Sequence, residues 1–63
     1  MRKLPDERAL GSARAHYNRG YLHMKRGELE AAIGDFTRAL RVDPGYKRAY
    51  QNRAFTYMKL GAY

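Results

Sequence analysis

The residues of this 63-residue chain best suited to chemistry are two histidines and a set of cations interleaved with aromatic residues. On a helix, His16 and His23 would share one face but lie about two turns, or roughly 10 Å, apart. They are therefore poorly spaced to share a metal ion, and we expect them to replace larger aromatic residues in a core. We find no acid placed to orient either ring, no nucleophile paired with a base and no glycine-rich phosphate loop. The sequence predicts neither an enzyme nor a cofactor or metal site.

The charge balance favours partners of opposite sign. Thirteen Lys and Arg residues against six Asp and Glu residues give a net charge of +7. Such a surface attracts acidic proteins, nucleic acid or anionic lipid, and the dominance of Arg suits planar contacts with carboxylate or phosphate. The absence of Cys fits a reducing compartment, so we expect an intracellular, cytoplasmic protein. No signal peptide is recognisable, and no apolar run approaches the length of a membrane span.

The chain contains nearly the same ten-residue segment twice. Residues 18–27 (NRGYLHMKRG) return as residues 52–61 (NRAFTYMKLG), at an offset of 34 residues. Asn, Arg, Met, Lys and Gly recur identically, and Tyr21 returns as another aromatic residue, Phe55. A period of this length is typical of stacked helical hairpins.

The first segment of the period is predicted to be helical. We expect a helix from about Asp6 to Arg26, because Gly27 is a typical residue just beyond a helix C-terminus. Ser12 is a good N-cap residue directly after Gly11 and offers an alternative start for the main helix.

Two more helices follow. Residues 28–42 show the clearest amphipathic pattern, with apolar residues at Leu29, Ala32, Ile33, Phe36, Ala39 and Leu40. The sequence Asp-Pro-Gly at 43–45 disfavours helix and predicts a turn. A third helix is predicted over residues 47–60, with Gly61 at its end.

These residues resemble the tetratricopeptide repeat, a unit of helix A, turn and helix B. With Ala13 as the first position, the family's small, aromatic and proline positions hold Gly20, Ala32, Phe36, Ala39 and Pro44. A second copy begins at Lys47 and keeps Ala54, Tyr57 and Gly61. Small residues at Gly20 and Ala54 would let packed helices approach closely. The resemblance implies an all-α fold with helices in the order A, B and A′.

The resemblance also divides the chain. Residues 1–12 would be an N-terminal extension or an early helix turn, 13–46 the first repeat, and 47–63 helix A of a second, truncated repeat. The chain departs from the family pattern at His16, where Trp is frequent, and at Arg19 and Arg53, where Leu is frequent. We expect both arginine stems to pack while their guanidinium groups reach water.

In the family, the A helices line a concave groove that holds a peptide or a partner's helix. Carried over by position, the resemblance implies a partner-binding surface of Arg14, Tyr17, Asn18, Tyr21, Lys25, Arg48, Gln51, Asn52, Phe55 and Lys59. Asn18 and Asn52 would clamp the backbone amides of a partner, or else form local hydrogen bonds. A clamp for a C-terminal carboxylate is disfavoured, because Tyr17 and Tyr21 occupy the positions of its Lys and Asn.

The function predicted is a non-catalytic module that binds a protein or peptide, preferably an acidic one. The alternative is a basic helical domain that binds RNA, with aromatic residues stacking on bases. Only four of the thirteen cations fall on the predicted surface, namely Arg14, Lys25, Arg48 and Lys59, which favours the protein partner.

The truncated second repeat raises a further expectation. Repeat units bury their faces against neighbours, so the third helix should expose Tyr50 and Tyr57 where a helix B would pack. We expect the chain either to be an excerpt of a longer array or to self-associate through this third helix, with exchange of helices through the linker at residues 43–46 as one route. A purely structural role, with another copy as the only partner, is a third hypothesis.

Overall fold

Three α-helices account for all the regular secondary structure that the computed structural model describes, which is residues 7–61. They are α1 (Glu7–Lys25), α2 (Leu29–Val42) and α3 (Lys47–Leu60). This confirms the predicted all-α fold, with the ends of α2 and α3 within one residue of the prediction. Helix α1 runs through Gly11 and Ser12 without a break, so the alternative start at Ser12 was wrong. The proposed start at Asp6 lies outside the described residues.

Glycine ends two of the helices in the way the sequence predicted. Gly27 and Gly61 both have φ of +79°, a left-handed conformation that costs glycine little because it has no Cβ. After α1, the amide of Gly27 donates to the carbonyl of Met24 at 3.1 Å, and the amide of Glu28 donates to the carbonyl of His23 at 2.9 Å. This is the Schellman pattern, which satisfies the last carbonyls of the helix and reverses the chain.

Helices α1 and α2 form an antiparallel hairpin around one phenylalanine. Contacts pair His23 with Glu28 near the turn and Tyr17 with Phe36 further away. Gly20 lies on α1 between Tyr17 and His23, and a Cβ at Gly20 would fall 2.9 Å from two carbons of the Phe36 ring. The missing side chain is therefore what admits the ring, and Phe36 is fully buried.

The other face of α2 packs on α3, also in antiparallel order. The fully buried apolar residues are Ala13, Ala32, Phe36, Ala39 and Ala49. Because four of these five are alanines, the helix backbones can lie close together around the single large ring. Partly buried Tyr17, Met24, Leu40 and Tyr46 close the edge of this core.

The face of α3 that corresponds to the Gly20 face of α1 is open among the described residues. Ala54 occupies the position of Gly20 one period later, and it is exposed. Tyr50 on the same face is 60% exposed, while Tyr57 is partly buried. The prediction that Ala54 mediates close helix packing is therefore wrong for residues 7–61, since no described helix covers it.

Candidate functional site

The ten residues of the predicted partner-binding surface lie on α1 and α3, and we call their surface the α1–α3 face. Since α2 runs antiparallel to both neighbours, α1 and α3 run in the same general direction. The α1–α3 face consists of Arg14, Tyr17, Asn18, Tyr21 and Lys25 on α1, with Arg48, Gln51, Asn52, Phe55 and Lys59 on α3.

A hydrogen bond joins the two halves of this face. The side-chain amide of Asn52 donates from Nδ2 to Oη of Tyr17 at 2.8 Å. Asn52 is partly buried, whereas Asn18, its counterpart one period earlier, is exposed. The two asparagines therefore differ in their surroundings, and the hydrogen bond of Asn52 runs to another helix, a partner that the sequence did not predict.

Tyr17 connects the α1–α3 face with the core. Its ring centroid lies 5.1 Å from that of Tyr46, 5.7 Å from that of Phe36 and 6.3 Å from that of Tyr21. Stacked or tilted rings at such spacings stabilise packing beyond the area they bury. Tyr17 is partly buried, so it supports the face from the core side.

Tyr46 was not among the predicted residues, although it fixes the start of α3 against α1. The residue one period earlier is Ser12, so the comparison of the two repeats gave no hint of an aromatic position. The one sequence signal that could have identified Tyr46 is its position between the turn and α3. An aromatic residue at such a position can reach back to the neighbouring helix.

Two exposed aromatic rings each lie beneath a lysine. The Lys25 ammonium is 5.6 Å from the centroid of the Tyr21 ring, and the Lys59 ammonium is 5.5 Å from that of the Phe55 ring. Both are cation–π contacts between residues four apart on a helix. The same pair of an apolar ring and a positive charge thus occurs twice on the α1–α3 face, one period apart.

The other end of the face is also basic. Arg14 and Arg48 both line an open cavity of about 510 Å³ beside the turn between α2 and α3. Gln51, between this end and the ring of Phe55, is exposed. The face therefore has cations at both ends and aromatic rings between them.

A polar cluster centred on Asp35 lies on the opposite side of the α1–α2 hairpin. The Asp35 side chain is 3% exposed and accepts two hydrogen bonds from Arg19, from Nε at 3.0 Å and from Nη2 at 2.8 Å. Arg38 donates a third at 3.1 Å. Hydrogen bonding by Arg19 lowers the pKa of the Asp35 carboxyl, against the opposing effect of its burial, with Arg38 and His23 adding to the lowering. The Arg19 side chain is 58% exposed, so its guanidinium reaches water as expected, but it also binds Asp35, which the sequence did not predict.

His23 belongs to the same cluster, which corrects the prediction that no acid orients a histidine. Its Nδ1 lies 2.7 Å from Oε1 of Glu28, and its Nε2 lies 3.5 Å from Oδ2 of Asp35. Glu28 comes into reach because the turn at Gly27 reverses the chain. The ring is thus held between two carboxylates at the α1–α2 turn.

Arg53, the equivalent residue on α3, also has partners that the sequence did not predict. Its Nη1 donates to Oγ1 of Thr37 at 3.2 Å, and its guanidinium carbon lies 5.4 Å from the centroid of the Tyr50 ring. The guanidinium therefore ties α3 to α2. Arg19 and Arg53, one period apart, both hold a neighbouring helix through polar contacts.

Comparisons with known proteins agree with this arrangement of helices. The family model of the tetratricopeptide repeat matches residues 13–46. The chain is similar to DnaJ homolog subfamily C member 7 of Mus musculus, with 43% identity over 47 residues, which is 75% of this chain and 10% of that protein. It therefore spans about a tenth of the length of this curated relative. No solved structure matches the chain.

Within residues 7–61, no helix has both the length and the hydropathy needed to cross a membrane.

Proposed function

The chain belongs to the tetratricopeptide repeat family, and from this premise we propose that the α1–α3 face binds an extended segment of a partner protein. Residues 13–46 would act as the first repeat, and residues 47–63 as helix A of a second. The observation that carries the proposal is the repetition of an exposed aromatic ring beneath a lysine, at Tyr21 with Lys25 and at Phe55 with Lys59.

The chemistry of these pairs specifies the partner. Each pair offers an apolar ring, 39% exposed at Tyr21 and 49% at Phe55, next to a positive charge. A segment that alternates apolar and acidic side chains would place the former on the rings and the latter against the ammonium groups. The net charge of +7 would also speed the encounter with an acidic segment. We therefore propose an acidic, partly apolar peptide segment as the ligand and a non-catalytic role for this domain.

Fluorescence anisotropy with labelled peptides tests this proposal. The probe is a twelve-residue peptide of alternating Glu and Leu, compared with the same peptide carrying Lys in place of Glu. We expect the acidic peptide to bind more tightly, and Tyr21→Ala or Phe55→Ala to weaken it about tenfold, which is typical of an aromatic interface residue.

Leu22 provides the matched control on α1. It is 56% exposed and adjacent to Tyr21 but is not part of the α1–α3 face, so Leu22→Ala should leave the peptide affinity within twofold of the parent. Equal losses in Leu22→Ala and Tyr21→Ala, or no loss in either aromatic variant, would contradict the assignment of this face.

RNA is the alternative ligand, because exposed rings beside cations can also stack on bases. Titration of a labelled single-stranded RNA oligomer over a series of salt concentrations separates the two. A logarithmic affinity that falls steeply with salt, together with tighter binding of RNA than of the acidic peptide at physiological salt, would favour the alternative.

A second copy of the chain is a further partner that we propose, through the open face of α3. Exposed Tyr50 and Ala54 lie on the face of α3 that is equivalent, one period later, to the α1 face where Gly20 receives the Phe36 ring. Two such α3 faces could cover each other in a symmetric dimer. Sedimentation equilibrium over a wide range of protein concentrations should then show a dimer that Tyr50→Lys abolishes. A fully helical monomer at the highest concentration would rule out this association.

A further inference from the structure

The strongest unexplained feature is the basic cavity at the start of α3. It has a volume of about 510 Å³ and lies between α1 and the turn that leads into α3. The residues that line it are Arg14, Asp43, Gly45, Tyr46, Lys47 and Arg48.

The charges around this cavity are unbalanced. Three cationic side chains, Arg14, Lys47 and Arg48, face a single carboxylate, Asp43. That carboxylate already accepts a hydrogen bond at Oδ1 from the amide of Gly45, at 3.1 Å. Among the side chains that the structure describes, those of residues 11–61, the ion pairs involve Arg19, Arg38 and His23, not the three cations of the cavity. The cavity therefore brings together positive charge that these described side chains do not neutralise.

The fold holds these cations together although they are distant in sequence. Arg14 and Arg48 occupy equivalent positions one period apart, so the stacking of α1 and α3 places both at one end of the α1–α3 face. The Tyr46 ring stacks on Tyr17 with a centroid distance of 5.1 Å and thereby fixes the start of α3 beside α1. Tyr46 itself lines the cavity, and Lys47 follows it directly.

We propose that this cavity is an oxyanion site for a phosphoryl group on a side chain of the partner protein. An arginine guanidinium can donate two parallel hydrogen bonds to a phosphate, and a lysine ammonium adds a mobile point charge. A phosphoryl group carries close to two negative charges and three acceptor oxygens, so it can satisfy three cations that a single carboxylate cannot. This inference rests on the proposed function, since the phosphoryl group belongs to a segment bound along the α1–α3 face.

Nuclear magnetic resonance titration of the whole chain with inorganic phosphate, at constant ionic strength maintained with chloride, tests the site directly. The resonances to follow are the side-chain Nε–H groups of Arg14 and Arg48 and the backbone amides of residues 46–48. We expect saturable shifts at these groups and an affinity at least fivefold weaker in Arg48→Gln.

Arg26→Gln is the matched control, because it removes the same charge from an exposed residue in the turn after α1, away from the cavity. It should leave the phosphate affinity within twofold of the parent. Shifts that do not saturate, or that are as large at Arg26 and Arg41 as at Arg48, would overturn the proposal, since they would report general screening. Circular dichroism of each variant verifies that the helices remain intact.

Peptides distinguish the source of the oxyanion. The acidic peptide is prepared with one central residue as phosphoserine, glutamate or serine, and each form is titrated against the parent and Arg48→Gln. We expect phosphoserine to bind at least fivefold more tightly than glutamate, and this advantage to disappear in Arg48→Gln. Equal binding of the phosphoserine and glutamate peptides overturns the assignment to a phosphoryl group. Tighter binding of single-stranded RNA at the same resonances overturns the assignment to a protein.

The two proposals fail in different ways. If phosphate leaves the cavity resonances unshifted while Tyr21→Ala still weakens the unphosphorylated peptide, only the oxyanion site is refuted. If phosphate binds in the cavity but no peptide responds to Tyr21→Ala, the proposed function is refuted, and with it the phosphoprotein source of the anion.

Discussion

Helices α1 and α3 have nearly the same sequence pattern but different surroundings. On α1, the Gly20 face is covered by α2, and the ring of Phe36 fills the space that the glycine leaves. On α3, the equivalent Ala54 face is exposed among the described residues. The difference teaches that the repeated segment specifies a helix and the faces it offers, while burial depends on which neighbour covers each face.

The equivalent polar positions show the same contrast. Arg19 makes a bidentate contact with buried Asp35, whereas Arg53 reaches the neutral hydroxyl of Thr37. Asn18 is exposed, whereas Asn52 is bonded to Tyr17. Identical residue types one period apart therefore have different partners, and the following substitutions test whether these partners set the stability.

The largest effect should come from truncating the buried ring. Phe36 is fully buried and Phe55 is 49% exposed, so the same change to alanine probes both environments. We expect Phe36→Ala to destabilise the fold by about 3–5 kcal/mol, enough to unfold most of so small a domain. Phe55→Ala should cost less than about 1 kcal/mol. Urea denaturation followed by circular dichroism measures both, and equal losses would mean that Phe36 does not hold the core.

The next largest effect should come from Asp35. Because Asp35→Asn leaves the Arg19 guanidinium without its charged acceptor, we expect a loss of about 1–3 kcal/mol. Since Arg19 lowers the folded-state pKa of Asp35, this stabilisation is present above the unfolded-state pKa, about 3.9, and is lost as the pH falls through the lower folded-state pKa.

The pH dependence of stability shows whether the charge of Asp35 is what stabilises the fold. Unfolding free energies measured between pH 2 and 7 should converge for the parent and Asp35→Asn at the acid end and differ at neutral pH. Glu30→Gln, an exposed acid on the same helix, should lie within about 0.5 kcal/mol of the parent at neutral pH. A constant difference between parent and Asp35→Asn across the whole range would refute the role of the charge.

Two glycine substitutions should change stability in opposite directions. A Cβ at Gly20 would lie 2.9 Å from the Phe36 ring and 3.2 Å from the Ala32 carbonyl oxygen, whereas one at Gly34 would lie 3.3 Å from Nη1 of Arg38, a half-exposed side chain that can shift slightly while it keeps its hydrogen bond to Asp35. We expect Gly20→Ala to cost about 1–3 kcal/mol through crowding. Gly34→Ala should gain about 0.5–1 kcal/mol through helix propensity. Thermal denaturation measures both, and stabilisation by Gly20→Ala would show that the two helices can separate freely.

The smallest effect should separate the two asparagines. Both gain the same helix propensity on substitution by alanine, so the difference between the variants isolates the Asn52–Tyr17 hydrogen bond. We expect Asn52→Ala to be less stable than Asn18→Ala by about 0.5–1.5 kcal/mol. Chemical denaturation of the pair tests this, and indistinguishable variants would indicate that the bond adds nothing to joining α1 and α3.

Part of the candidate site could be predicted because it depends on local geometry. The pairs Tyr21 with Lys25 and Phe55 with Lys59 are four residues apart, so any helix brings their side chains together. The contribution of Tyr46 could not be predicted in this way, because its partner Tyr17 lies on another helix and its counterpart, Ser12, is not aromatic. The cavity beside Tyr46 was missed for the same reason.

The sequence by itself determined the three helices, the ends of α2 and α3, the C-terminus of α1 and the family, because apolar periodicity, C-terminal glycines and the 34-residue offset all act through local backbone geometry. Only the tertiary structure decided which polar groups meet. The hydrogen bonds of Arg19 with Asp35 and of Asn52 with Tyr17 span 16 and 35 residues of chain. Such contacts depend on how the helices pack, since shifting one helix along another by a single turn, about 5.4 Å, would give each side chain a different neighbour.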